Sequence, residues 1–514
     1  MLDVTITGMA WIKLSSFEPH QLVNLRESLT VYPRKVTDIS AAEDPQPIQL
    51  FVEDEERGLI GLPRAFYLRN KTLGHHEIVR VSRGEPMSQL ETNFVADGPF
   101  KEQDDALRVL EQTVENQPWA GMLLKAGCGF GKTVVAIEFA RRLGLRTLVL
   151  VHKEFFLKQW REQIRKFIPD AKVGRIQQDQ CDYDGMDFSI GMIQSLSRDT
   201  EKAKYPEEMY RSFGLVITDE CHRIGAATWS YVLPRFPAAY RLGLTATPRR
   251  KDGAQDVFFD HIGPIVYKAR TGAMVPLLRR IKTGAVCEDI NRGRYQVKRS
   301  KLNSAQVISQ LGSNEFRSRA IADDVAQAVR RGRKVMVVSE RLDHLRQIAR
   351  QLNDVMISMK FGTKQKDGTV KRFIPVIDFY TGSWFTGEVW ETQTKAHRKG
   401  APKTATRSEA ELQKAETANV IMATKQMVEE GLDIQALDVI VLATPMSDIE
   451  QSVGRVRRWC TPEDGKCEKL CSWRAGSCEG KPQPIVVDVI DEKVYQAKRR
   501  WNTRAKYYRS IGAL

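Results

Sequence analysis

AGCGFGKT, residues 126–133, is flanked by an apolar run at Met122–Leu124 and by Val134, Val135, Phe139, Ala140 and Leu143, which recur at helical spacing as far as Gly144. The run predicts a short buried strand, the spacing predicts a helix, and Gly144 supplies its stop. Strand, glycine-rich turn and helix make a phosphate cradle, because glycines let the backbone curl until N–H groups and the helix N-terminus face an anion. Gly127, Gly129 and Gly131 give that freedom, and Ala126, Cys128 and Phe130 complete the loop. Lys132 can reach terminal phosphates, and the Thr133 hydroxyl can sit on a magnesium ion. The strict pattern has Gly where Ala126 stands; a small residue is what that position needs.

The chain has 514 residues, too many for one core, and at about 150 residues per domain roughly three domains are expected. Its formal net charge of +15 attracts polyanions, which favours nucleic acid over an acidic small molecule; solvated Lys and Arg faces are the alternative. Charge interrupts Met1–Thr30 and no apolar run reaches membrane-spanning length, so a soluble cytoplasmic protein without a membrane partner is expected. Of eight cysteines, Cys128, Cys181, Cys221 and Cys287 are scattered, as isolated thiols are in a reducing compartment.

Residues 1–98 carry short β-like runs, Val4–Ile6, Ile48–Val52 and His76–Val81, between turn-rich segments, which predicts a small N-terminal α+β accessory domain. Its Arg34, Lys35, Arg64, Arg69, Lys71, Arg80 and Arg83, with Tyr32, Phe66 and Tyr67 interleaved, suit a nucleic-acid backbone; a domain that simply packs on its neighbour is an equal alternative. From residue 99 to 270 strands and helices alternate, the pattern of a parallel sheet with helices on both faces. In such sheets ligands lie off the strands' carboxyl ends. Asp219-Glu220-Cys221-His222 follows the run Leu215–Thr218, and Thr245-Ala246-Thr247-Pro248 follows Leu242–Leu244. Asp219 can hold magnesium through water, and Glu220 can orient or deprotonate the attacking water.

In this order, Ala126–Thr133, Asp219–His222 and Thr245–Pro248 resemble motifs I, II and III of superfamily 2 helicases. Phe100-Lys101-Glu102-Gln103 resembles the element whose glutamine reads adenine, which implies Gln103. His152–Trp160 resembles motif Ia and Gln194-Ser195-Leu196 the strand-tracking segment, both implied to face a nucleic-acid backbone. Residues 271–311 are taken as the linker before a second parallel-sheet motor domain at 312–514. There, Val335–Ser339 resembles motif IV, and Val420–Thr424 with Gly431-Leu432-Asp433-Ile434 resembles motif V, placing Gly431 and Asp433 on the nucleotide. Gln451–Arg458 resembles motif VI. Guanidinium groups opposite a phosphate loop stabilise charge as the γ-phosphate leaves, and the spacing of Arg455 and Arg458 puts both on one helix face. Arg455 and Arg458 are therefore the candidates, and the resemblance to motif VI adds Gln451.

Residues 383–406 interrupt the family spacing with Trp384, Phe385 and Trp390 beside Lys395, His397, Arg398, Lys399 and Lys403, suited to stacking at a strand junction or to a solvated hairpin. Cys460, Cys467, Cys471 and Cys478 form C-x6-C-x3-C-x6-C. Four thiolates are the full ligand set of a closed zinc site; an iron–sulfur cluster, free thiols or disulfides are the alternatives. The basic tail after Glu492 is read as a helix on the second motor domain. The fold class expected is α/β, with two RecA-like motor domains. The wording of the motifs looks closest to the XPB-like and phage UvsW-like group. That group implies an ATP- and Mg2+-dependent enzyme working as a monomer on branched, forked or duplex DNA in a bacterial or phage-infected cytoplasm. An RNA-directed helicase and a non-catalytic scaffold are the alternatives.

Overall fold

Strands whose every residue is buried need cover on both faces, and the apolar runs at 148–151, 188–192 and 215–218 get it from helices on either side of a parallel sheet. The computed structural model describes residues 2–33, 46–71, 75–96, 100–117, 119, 121–127, 129–198, 204–223, 226–248, 250, 252–269, 274–287, 302–359, 362–364, 370–372, 375–385, 404–429, 434, 436–457 and 482–514. The chain divides into two compact units, Met1–Gly272 and Ala273–Leu514.

The first unit opens with β1 (Leu2–Ile6), β2 (Ala10–Lys13), β3 (Val52–Asp54), β4 (Leu59–Leu62) and β5 (His75–Val79). They form a mixed sheet in the order β3-β4-β2-β1-β5. Next come β6 (Gly121–Lys125), β7 (Thr147–Val151), β8 (Val173–Gln177), β9 (Gln180–Cys181), β10 (Phe188–Met192), β11 (Leu215–Thr218), β12 (Tyr240–Thr245) and β13 (Ile265–Lys268). Their order is β9-β8-β10-β7-β11-β12-β6-β13, and every pairing is parallel except the edge hairpin β8-β9. The N-terminal stretch shares a core with this sheet: Val4, Ile6, Ile12 and Ile60 pack in one cluster with Leu123, Leu148, Phe236 and Phe258.

Two buried arginines cross that seam. Arg64 donates to Ala238 O at 2.7 Å and Ala239 O at 2.9 Å, and Arg241 donates to Gly8 O at 2.7 Å and His261 O at 2.8 Å. Burial pulls the Arg64 guanidinium down to about 10, and burial followed by repulsion from Arg64 pulls Arg241 down further. Carbonyl acceptors are what keep such desolvated cations inside.

The second unit contains β14 (Leu277–Lys282), β15 (Val335–Ser339), β16 (Ile377–Tyr380), β17 (Val420–Thr424), β18 (Val439–Leu442) and β19 (Ile485–Ile490). The order is β14-β19-β18-β15-β17-β16, all parallel. The expected linker 271–311 is therefore corrected in part: β14 pairs with β19 along its whole length, and Ser304–Gly312 is a helix with a capping box at Asn303. An edge strand with one open side tolerates Arg279, Arg280 and Lys282, the charges that disguised it in the sequence. The tail forms helix Tyr495–Ser510, whose buried Arg504 pairs bidentately with Asp488 at 2.8 Å while Tyr508 OH donates to the same carboxylate at 2.7 Å. Of the insertion 383–406, Ser383–Phe385 and Thr404–Thr406 pair as an antiparallel hairpin base, and 386–403 lie outside the described residues. Among the described residues no helix is long and apolar enough to cross a membrane.

Candidate active site

Gly129 and Gly131 adopt φ of +89° and +88°, a left-handed conformation that side chains resist. The turn they make joins β6 to helix Lys132–Leu143, which Gly144 stops at φ +68°. Lys132 folds back so that Nζ donates to Ala126 O at 3.0 Å. The Ala126 N–H donates to Thr245 O at 3.1 Å, tying the loop to the end of β12. Gln103 is buried, and its Nε2 donates to Phe130 O at 2.6 Å. The glutamine implied to read adenine thus braces the loop's own backbone, and a Cβ on Gly131 would collide with that amide. Thr133 lies half-buried in the first turn of the helix, where the dipole and open N–H groups favour an anion. Gly127 is exposed, and Cys128 lies outside the described residues.

Asp219 follows β11, two strands away from the loop across β12. Its main-chain N–H donates to Leu150 O at 3.2 Å. Each carboxylate oxygen has a donor: Trp160 Nε1 reaches Oδ2 at 2.9 Å and the Glu220 N–H reaches Oδ1 at 2.9 Å. Burial, then the neighbouring Glu220 charge, pushes the Asp219 carboxyl up to about 6 against the opposing pull of the Trp160 bond and Lys132. Glu220 itself sits at φ +46°, a conformation uncommon outside glycine that persists where surroundings impose it. Its Oε2 is buried without a hydrogen-bond partner. His222 Nδ1 lies 3.4 Å from that oxygen, too far for a good bond, and shares a 2.9 Å hydrogen bond with Thr245 Oγ1 instead. Thr245 Oγ1 also accepts from the Thr247 N–H at 3.1 Å, so the turn after β12 is wired to the acidic turn after β11.

Adjacent carboxylates, Asp219 buried with its charged form disfavoured and Glu220 partly buried with an orphaned oxygen, form a donor set that a divalent cation would discharge. Lys132, Thr133, Asp219 and Glu220 all lie at the carboxyl end of the same parallel sheet, the edge where such sheets bind ligands.

In the second unit, helix Glu450–Val456 carries Gln451, half-buried, and Arg455, buried. Arg455 Nε donates to Val428 O at 3.0 Å and a terminal nitrogen donates to Glu429 O at 3.2 Å, fixing the guanidinium against the end of helix Lys425–Glu429. Arg457 instead holds Met274 O at 2.8 Å. Arg458, Gly431, Asp433 and the four clustered cysteines lie outside the described residues.

Trp160, at the end of the stretch implied to face a nucleic-acid backbone, is instead buried on Asp219, a contact that sequence reasoning missed. It sits on the apolar stripe Phe156, Leu157, Trp160, Ile164, which reads as core. The signal available was that a buried indole needs an acceptor. Arg250 also escaped notice; it pairs with Asp252 at 2.6 Å and donates to His222 O at 3.2 Å.

Residues 98–250 match the family model described as type III restriction enzyme, res subunit. A protein of Acanthamoeba polyphaga mimivirus, provisionally named an ATP-dependent RNA helicase, is 27% identical over 489 residues, which is 94% of this chain and 80% of that protein. The DNA 3'-5' translocase XPB2 of Sulfurisphaera tokodaii is 34% identical over 140 residues, 27% of this chain and 30% of its own. Among solved structures, T4 UvsW covers 99% of this chain and 97% of its own at 15% identity, with a TM-score of 0.37.

Proposed function

We propose that this chain, a superfamily 2 helicase of the XPB- and UvsW-like type, spends ATP on remodelling branched or forked DNA by unwinding, branch migration, fork regression or annealing. Helicases of this family use ATP and Mg2+. The observation that carries the assignment of the site is the convergence of Lys132 and the Asp219–Glu220 pair at one sheet edge, with the His222–Thr245 bond linking the two turns. Thr133 and Asp219 would hold the magnesium, which would neutralise charge on the β- and γ-phosphate oxygens. The phosphate-loop N–H groups and Lys132 cradle those phosphates. Glu220, held in its left-handed turn, orients the attacking water and takes its proton. We assign Gln451, Arg455 and Arg458 to the charge that develops on the departing γ-phosphate, and Gly431 and Asp433 to the nucleotide.

DNA is supported by the similarity to the DNA translocase of Sulfurisphaera tokodaii, while the net charge of +15 suits either polyanion. The second reading, RNA, is favoured by the name given to the mimivirus relative, whose match spans most of this chain. ATPase rates compared on forked DNA, single-stranded DNA and RNA decide between them; strongest stimulation by RNA overturns the DNA reading. Strand displacement on forks, four-way junctions and blunt duplexes then identifies the preferred substrate. Zinc at Cys460, Cys467, Cys471 and Cys478 rests on their clustering in the sequence. About one equivalent of zinc in protein purified without chelator would support it, and metal-free protein would remove it.

A further inference from the structure

We propose that Trp160 is a positioning residue through which bound nucleic acid sets the grip of Asp219 on magnesium. The inference rests on the reading of the site given above. Trp160 and Asp219 are 1% and 8% exposed, and the 2.9 Å bond from Nε1 to Oδ2 is made out of reach of solvent. With the Glu220 N–H on Oδ1, the carboxylate has one donor per oxygen, so its plane is fixed from two independent elements. One of those donors is main chain of its own turn. The other rides on helix Glu154–Phe167.

The stretch that resembles motif Ia, His152–Trp160, covers the start of that helix, and this start is tied to the strand-tracking segment: Gln194 Nε2 donates to His152 O at 2.7 Å. The first turn faces outward, with Phe155 41% exposed, while Phe156, Leu157, Trp160 and Ile164 are buried in the sheet's core. A packed helix moves as a body, so a backbone strand seated on 152–155 and 194–196 displaces the indole N–H together with the surface it touches. Hydrogen bonds weaken steeply with distance and angle, and a small shift is therefore felt by the carboxylate. Reciprocity follows: if nucleic acid improves the grip on magnesium, magnesium with nucleotide improves the grip on nucleic acid by the same factor. A tryptophan present only to fill the core would show none of this.

The test is the Mg2+ dependence of binding of a fluorescent, non-hydrolysable ATP analogue to the full chain, with and without a forked DNA or a single-stranded RNA. In the unaltered protein the nucleic acid lowers the half-saturating Mg2+ concentration several-fold. Trp160→Phe keeps a ring in the core and deletes the donor. A buried bond from N–H to carboxylate is worth enough to raise that concentration roughly tenfold, and the nucleic acid no longer moves it. Site-specific replacement of Trp160 by 3-benzothienylalanine, which keeps the indole's shape without its N–H, reproduces the effect should the phenylalanine variant fold poorly. Ile164→Val, which trims the same helix face without touching Asp219, leaves the Mg2+ dependence as it was. A Trp160→Phe protein whose Mg2+ midpoint still responds to nucleic acid overturns the proposal, as does an equal shift in Ile164→Val. Absence of any Mg2+-dependent nucleotide binding in the unaltered protein would instead sink the assignment of the site.

Discussion

Replacing Glu220 with Gln should make the nucleotide-free protein more stable while stopping hydrolysis. Asp219 is buried, and its carboxyl is pushed from the ordinary 3.8 up to about 6, which corresponds to about 3 kcal/mol against the ionised form. Burial is the larger cause and the Glu220 charge the second, so neutralising Glu220 returns the smaller share, about 1 kcal/mol. In a unit the size of Met1–Gly272 that is a rise in Tm of about 2–4 °C. The sign with pH is fixed by proton counts. Between about pH 4 and 6 the folded chain holds the Asp219 proton and the unfolded chain has released it, so stability falls as pH rises through that window and stays lower above it. Glu220→Gln narrows the window, and its gain is present at pH 7.5 and absent near pH 4. Melting curves of both proteins in EDTA at the two pH values measure the difference, since contributions from other carboxylates cancel. Turnover with nucleic acid present should fall by roughly 10²–10⁴. A variant no more stable than its parent at pH 7.5, or one hydrolysing ATP within tenfold of it, would refute the reasoning.

Gly131→Ala places a Cβ at φ +88° against Gln103 Nε2, costing about 1–2 kcal/mol of stability and weakening nucleotide affinity at least roughly tenfold; equilibrium binding of a fluorescent ATP analogue checks it. Arg455→Lys cannot reach the carbonyls of Val428 and Glu429 together, since an ammonium lacks the guanidinium fork. Turnover should drop roughly 10²-fold with nucleotide affinity retained, and single-turnover hydrolysis separates the two. Arg504→Met leaves Asp488 buried with Tyr508 alone, a loss of about 3–5 kcal/mol in urea unfolding, partly restored in the double variant with Asp488→Asn.

The chemistry at strand ends was legible because each signal combines a local pattern with a position: glycines after one apolar run, paired acids after another, hydroxyls after a third. The strands bearing them could be read for the same reason, since Leu215–Thr218 and Phe188–Met192 are buried on both faces and stay apolar throughout. What escaped was structure whose residues look like something else. β14 reads as basic loop because an edge strand keeps one side in water. Trp160 reads as core because its spacing matches its neighbours and only its nitrogen departs from them.

The buried arginines escaped for a third reason, and they bear on the charge argument itself. Counting cations in a sequence treats each as surface, yet Arg64, Arg241, Arg317 and Arg504 are 1–2% exposed. Arg317 and Arg504 are matched by Asp491 and Asp488 and so take no net charge inside. Arg64 and Arg241 are held by main-chain carbonyls, and they do. The exterior therefore keeps most of the +15, and attraction for a polyanion survives the correction. The same pair explains why the N-terminal stretch is best treated as part of the first compact unit. Its Gly8 carbonyl solvates an arginine of β12, the strand whose far end carries Thr245 and the bond to His222, so removing residues 1–98 would expose a desolvated cation one strand length from the site.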